Sequence, residues 1–268
     1  MAELTAGDAR YRDDSGTSDP AVAAALTAYA AGVGGEHAVL AALADCRLLV
    51  PVVAVRADEL AEWATEASPG ADPAGTAGGS AGTAGGSACT TTLDAGGLPV
   101  HGEKVSEVAM PSIIGRDGRP ALPAFTCVEA VRRWQPTARP VPVPASDVWQ
   151  SAVQDSCAVV IDIAGPVPVV IEGARLVALA AGAQAPAMHA DPDVWQQVAA
   201  AAAKVAPGIR VRLSPAPDGL DFTLELAPPA GASRPVPEDA ASQIADAAMA
   251  RLADRVRLGV AVVVQPPG

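Results

Sequence analysis

The chain has 268 residues, half of them apolar, with aromatics at only 3% and a formal net charge of -12. That apolar content excludes wholesale disorder, and the scarcity of rings means a core built from Ala, Val, Leu and Ile. The negative charge disfavours nucleic acid and anionic membrane surfaces as partners, because both demand clustered cations; of the 18 basic residues only Lys104 and Lys204 are lysines, and the arginines are scattered.

The first sixteen residues are polar and acidic, without the basic start and apolar run of a secretory signal, so a flexible N-terminus over 1–18 and a cytoplasmic location are expected. Asp19-Pro20 places a capping carboxylate before a proline at the first helical position, and a short helix follows to Ala31. A second helix over Glu36 to Asp45 leads into Leu48-Leu49-Val50-Pro51-Val52-Val53, a buried strand in which Pro51 calls for an edge or a bulge.

From Ser68 the composition turns to Gly, Ala, Ser, Thr and Pro, and the heptad Gly-Thr-Ala-Gly-Gly-Ser-Ala occurs twice in tandem at 75–88. Apolar side chains are too few there to offset about 1–2 kcal/mol of backbone entropy per ordered residue, so a disordered insertion is expected over about 68–97. Gly78, Ser80 and Gly82 match G-x-S-x-G. A nucleophile elbow needs a strand before that turn and a helix after it, and here both flanks are linker. The run also lacks the Gly-Lys-Ser/Thr end of a phosphate loop.

The run Val105 to Ile114, a Gly115-to-Gly118 turn and Arg119 to Phe125 read as a hairpin. Thr126 with Glu129 forms a capping-box pattern for a helix over Cys127 to Trp134. After the extended Pro140 to Pro144, Ser146 or Asp147 is placed to cap a helix to about Asp155, followed by strands at 157–163 and 167–171 and a helix at 174–181. The order helix, strand, strand, helix thus occurs twice. Asp191-Pro192 repeats the earlier helix start and opens a helix to Ala206. Ile209, Val211 and Leu213 alternate with Arg210 and Arg212, and Phe222, Leu224 and Leu226 with Thr223 and Glu225; if these strands pair, arginines face carboxylates. An amphipathic helix over 237–252 and a strand over 258–264 complete an αββαβ module. The expected fold is therefore α/β of the α+β kind, with mixed sheets and helices: one domain at 19–185 and a small module at 190–266.

Cys46, Cys89, Cys127 and Cys157 stand far apart, as do the three histidines, so neither a metal site nor a cofactor is expected. Cys127 is the most reactive-looking thiol, because a helix start lowers a thiol pKa; a small structural residue there is the simpler reading. Glu103, Lys104 and Glu107 form a charged cluster where a linker enters a strand, a usual place for binding loops.

Leu48-Leu49-Val50-Pro51-Val52, then Gly102-Glu103-Lys104, then Ala121-Leu122-Pro123-Ala124-Phe125-Thr126 followed by Trp134, resemble in this order the N-terminal domain of the SseB-like (enhanced serine sensitivity) proteins, over about 36–180. Val105, Val108, Pro111 and Cys127 depart from that pattern. The resemblance implies the fold and carries no catalytic residue with it. The expected function is thus that of a cytoplasmic, non-catalytic interaction or regulatory protein, with another protein or a second copy as partner and Glu103, Lys104, Glu107 and Cys127 as contact residues. The alternatives are an enzyme whose site those four residues assemble from a distance, and an amino-acid-responsive sensor.

Overall fold

The computed structural model describes residues 9–56, 88–89, 106–115, 118–217 and 219–267. Most of the insertion, the Gly78-Ser80-Gly82 motif, Glu103 and Lys104 lie outside the described residues. The chain divides into two compact units, one of Met1–Thr17 with Arg47–Val170, the other of Ser18–Cys46 with Ile171–Gly268. The domains expected from the sequence follow chain order; these units interleave.

In the first unit, β1 (Arg47–Arg56) lies between β3 (Ser106–Pro111) and β6 (Arg139–Pro144), with β2 (Ala88–Cys89) beyond β3. Ala88 and Cys89 fall inside the insertion expected to be disordered and pair with Pro111 and Met110. The expected hairpin at 105–125 is divided: β3 pairs with β1, and only β4 (Ile113–Ile114) turns back on β5 (Pro120–Ala124). Beyond β5, in parallel register, comes β7 (Ala158–Ile161), and then β8 (Val169–Ile171).

Pro51 shows how β1 tolerates a residue without an N–H. Leu49 exchanges both main-chain hydrogen bonds with Phe125, at 2.7 and 2.9 Å, so the main-chain groups two residues on, at Pro51, face the same side. On that side the pairing with β3 begins only at Val53, while the other side of β1 pairs with β6 from Arg47 through Val52. The missing donor therefore falls in a gap between two ladders. Helices α3 (Val128–Trp134) and α4 (Ala145–Gln154) complete the unit. Trp149 is buried, and Phe125 stacks obliquely on Trp134 with ring centroids 5.5 Å apart. The N-cap of α4 is Pro144, so Ser146 and Asp147 occupy its first turn and do not cap it.

The second unit joins α1 (Pro20–Ala30) and α2 (Glu36–Leu43) to α5 (Gly173–Ala180) and to the C-terminal module. That module has the expected order: α6 (Pro192–Val205), β9 (Arg210–Ser214), β10 (Phe222–Ala227), α7 (Glu238–Arg251) and β11 (Val260–Val264). β10 is central, antiparallel to β9 and parallel to β11. Phe222, Leu224 and Leu226 lie in one core cluster with Val198 and Ile244 from the helices, each large side chain contributing about 1.5–3 kcal/mol on burial. Arg212 stands opposite Glu225 in register, but the hydrogen bonds to that carboxylate come from Ser214 Oγ at 2.6 Å and Gln265 Nε2 at 3.4 Å.

Four charged residues, each at most 7% exposed, join the pieces of this unit. Glu36 opens α2, Arg175 lies in the first turn of α5, Asp191 is the N-cap of α6, and Arg255 follows α7. Arg255 donates from Nε to both Glu36 oxygens at 3.1 Å and from Nη2 to Glu36 Oε2 and Asp191 Oδ2, each at 2.7 Å. Arg175 Nη1 donates to Glu36 Oε1. Burial lowers the pKa of Arg175, with Glu36 opposing. Burial acts the same way on Arg255, but its bonds to Glu36 and Asp191 prevail and its pKa is raised. Two cations and two anions cancel, so no net charge is buried. Nearby, the Tyr29 hydroxyl donates to Asp254 O at 2.8 Å, and Arg257 lies over the Tyr29 ring at 4.8 Å.

Removing one cation from this cluster leaves two carboxylates buried with insufficient charge compensation. Arg255→Met is expected to cost about 3–5 kcal/mol in urea unfolding. A loss below about 1 kcal/mol, the worth of an exposed pair, would show that the cluster is not closed to solvent.

Candidate functional site

Cys127 and the helix start beside it are the one sequence-predicted site whose side chains are described. β5 and β7 run parallel, and their C-terminal ends reach Ala124 and Ile161. The chain then continues into Phe125-Thr126-Cys127 on one side and Asp162 on the other. Carboxyl ends of parallel strands are where open α/β sheets place their ligands, which makes this the site to test for chemistry.

Its polar groups are committed to main chain and to one another. Asp162 adopts φ 48°, in the left-handed region that non-glycine residues seldom occupy. In that conformation Asp162 N donates to Ala124 O at 2.9 Å, while its two oxygens accept from Thr126 N at 2.9 Å and Thr126 Oγ1 at 2.7 Å. Burial raises the Asp162 pKa; the bonds from Thr126 and the charge of Arg133 oppose the rise and do not cancel it.

The tertiary partner overrides the local capping box. The Thr126 hydroxyl goes to Asp162, and the N-cap of α3 is Cys127, whose side chain makes no capping hydrogen bond. The first turn is completed from afar, by Val128 N donating to Gly16 O at 2.8 Å. Gly16 has φ 73° and packs so closely on Val128 that a Cβ there would collide with the valine methyl. Asp14 Oδ1 accepts from Gly16 N at 2.7 Å, and Asp14 pairs with Arg47 at 2.6 Å. Arg47 in turn donates to Thr126 O at 3.0 Å and to Thr17 O. The end of the segment expected to be a flexible N-terminus is thus hydrogen-bonded to β1 and to the start of α3.

Of the four predicted contact residues, Cys127 is half-buried, is in no disulfide, and packs against the cluster of Leu49, Phe125 and Val131. Glu107 belongs to β3, opposite Val55, with its side chain outside the described part. Glu103 and Lys104 are outside it altogether, so the structure does not bring the four together. Arg132 and Arg133 are exposed, with Arg133 4.0 Å from Glu129 on the same helix face. Among the described residues no group of three or more His, Cys, Asp or Glu is placed to hold a metal ion, and no helix is long and apolar enough to cross a membrane. Sequence reading missed Asp162 and Arg47. Asp162 ends an apolar run, and its place against Thr126 depends on strand order.

The architecture is that of an α+β protein whose polar residues at the parallel strand ends fix a helix start. The family model for the SseB protein N-terminal domain matches residues 22–178, more than half of the chain, and the chain belongs to that family. Comparison with curated proteins and with solved structures gives no match.

Because its folded pKa lies above the ordinary value of 3.8, Asp162 binds more protons in the folded than in the unfolded state between those two pKa values. Its contribution to stability therefore falls as pH rises through that window and recovers on acidification. Relative to Asp162→Asn, the wild-type chain is expected to gain unfolding free energy as pH falls from 7 towards 4; parallel pH profiles would rule out the raised pKa. Gly16→Ala, which meets both the positive φ and the Val128 methyl, is expected to lower stability by about 1–3 kcal/mol in the same urea assay.

Proposed function

We propose that this chain is a cytoplasmic, non-catalytic interaction or regulatory protein that engages another protein, or a second copy of itself, by strand pairing. The observation that carries this reading is β11. Among the described residues it is bonded on one side only, to β10, and Val262, Val263 and Val264 are 41%, 42% and 39% exposed. Proteins guard free sheet edges with charges, prolines or covering loops, and an uncharged edge rich in valine is a template for another strand. The opposite edge of the same sheet, β9, carries the exposed Arg210 and Arg212. The state of the polar groups around Cys127 supports the same reading. Asp162 and Arg47 spend their hydrogen bonds on Thr126, Asp14 and main-chain carbonyls, which positions a helix.

Affinity isolation from the native lysate at physiological salt, with the wild-type chain and Val262→Lys side by side, tests this. A protein retained by the wild type and lost from the variant is expected, whether it is a second copy or another chain. Equal recovery on both, or none on either, would remove the reading.

A further inference from the structure

We infer that the strand which pairs with β11 is β11 of a second copy, running antiparallel about a two-fold axis normal to the sheet. The inference rests on the interaction reading above and names its partner. The strand has a defined start and a defined end. Asp221 Oδ2 accepts from the main-chain N–H groups of Arg257, Leu258 and Gly259, at 2.9, 2.7 and 3.2 Å, and Asp221 N donates to Gly259 O at 2.8 Å. At the far end Gln265 N donates to Leu226 O at 2.8 Å, and Pro266-Pro267 follows, which offers no donor to a ladder. Five residues, Val260 to Val264, therefore form the whole pairing edge, with Val262 at its centre.

An antiparallel pair centred on Val262 sets each Val260 against the other copy's Val264 and each Ala261 against its Val263. None of these residues is charged, so two chains of net charge -12 meet at a stretch where no like charges oppose each other.

The faces of the strand favour a second copy over a lone peptide. Val260, Val262 and Val264 stand beside Phe222, Leu224 and Leu226 and share the face that α6 and α7 cover. α6 packs over β9 and α7 over β11, yet Val262 and Val264 remain about two-fifths exposed on that face. A five-residue ladder alone buries less than the roughly 1,000 Å² that a stable interface needs. A two-fold normal to the sheet supplies the remainder, because it brings a second α7 to the same face, over the six facing valines. Such an isologous contact closes as a dimer, whereas pairing β11 with the arginine-bearing β9 edge would continue into a filament.

Sedimentation velocity over a concentration series of the purified full chain tests this, together with cross-linking at introduced cysteines. The wild type is expected to move from monomer to a species of twice the mass and no further. Val262→Lys should stay monomeric and share the thermal midpoint that the wild type shows at dilutions where it too is monomeric, which separates loss of pairing from loss of fold. Val262→Cys should link two copies through residue 262, and Arg210→Cys on the other edge should not link through residue 210. A wild-type chain that stays monomeric, a dimer that survives Val262→Lys, or equal linking at residue 210 would overturn the inference. A monomer that still retains another protein in the lysate isolation, through an edge that Val262→Lys blocks, overturns the second copy and leaves the interaction reading standing. A monomer that retains nothing overturns both.

Discussion

The second unit depends on one closed electrostatic arrangement, in which Arg255 holds Glu36 and Asp191 together out of water while Arg175 holds Glu36 from the other side. Residues 36 and 255 are separated by most of the chain, and their contact makes the first two helices part of the C-terminal half. Both anions lie at helix starts, where the helix dipole favours negative charge, and one of them, Asp191, also caps α6 through Asp193 N at 2.9 Å. A buried ion cluster is rarely the most stabilising filling for a core. The docking of α2, α5, α6 and the segment after α7 brings all four charges together, and a packing that separated them would leave a buried charge without its partner.

This explains why the family match and the compact units divide the chain differently. The matched residues 22–178 take α1, α2 and α5 from the second unit and the β1-to-β8 sheets from the first. The two helix-strand-strand-helix runs legible in the sequence share this property, since α2 and α5 stand in the second unit and the strands in the first. The C-terminal module is consequently built onto helices that the family domain supplies.

Much of the fold was legible where the signal is local. Asp19-Pro20 and Asp191-Pro192 mark true helix starts, with Asp19 Oδ1 accepting from Ala21 N at 2.8 Å. The alternation at 209–226 marked β9 and β10, which pair with Arg212 opposite Glu225, as expected of such a pair, but with Arg210 opposite Ala227. The candidate site was less legible because its determinants are not periodic. Thr126 and Glu129 form a valid local capping pattern, and a carboxylate 36 residues further on takes the hydroxyl instead. Asp162 and Arg47 carry no mark of their roles until strand order places them beside Thr126. The valines of β11 read equally well as a buried strand, and only the strand order, with β11 bonded to β10 alone, leaves them at an edge.

Native-state hydrogen exchange addresses the interleaving most directly. If the buried charge cluster unites the unit, the amides of Val39 and Leu40 in α2 open with the same free energy as those of Ile244 and Ala248 in α7, in one cooperative step. Exchange of the α2 amides together with those of β1, or on their own at a much lower free energy, would contradict the account.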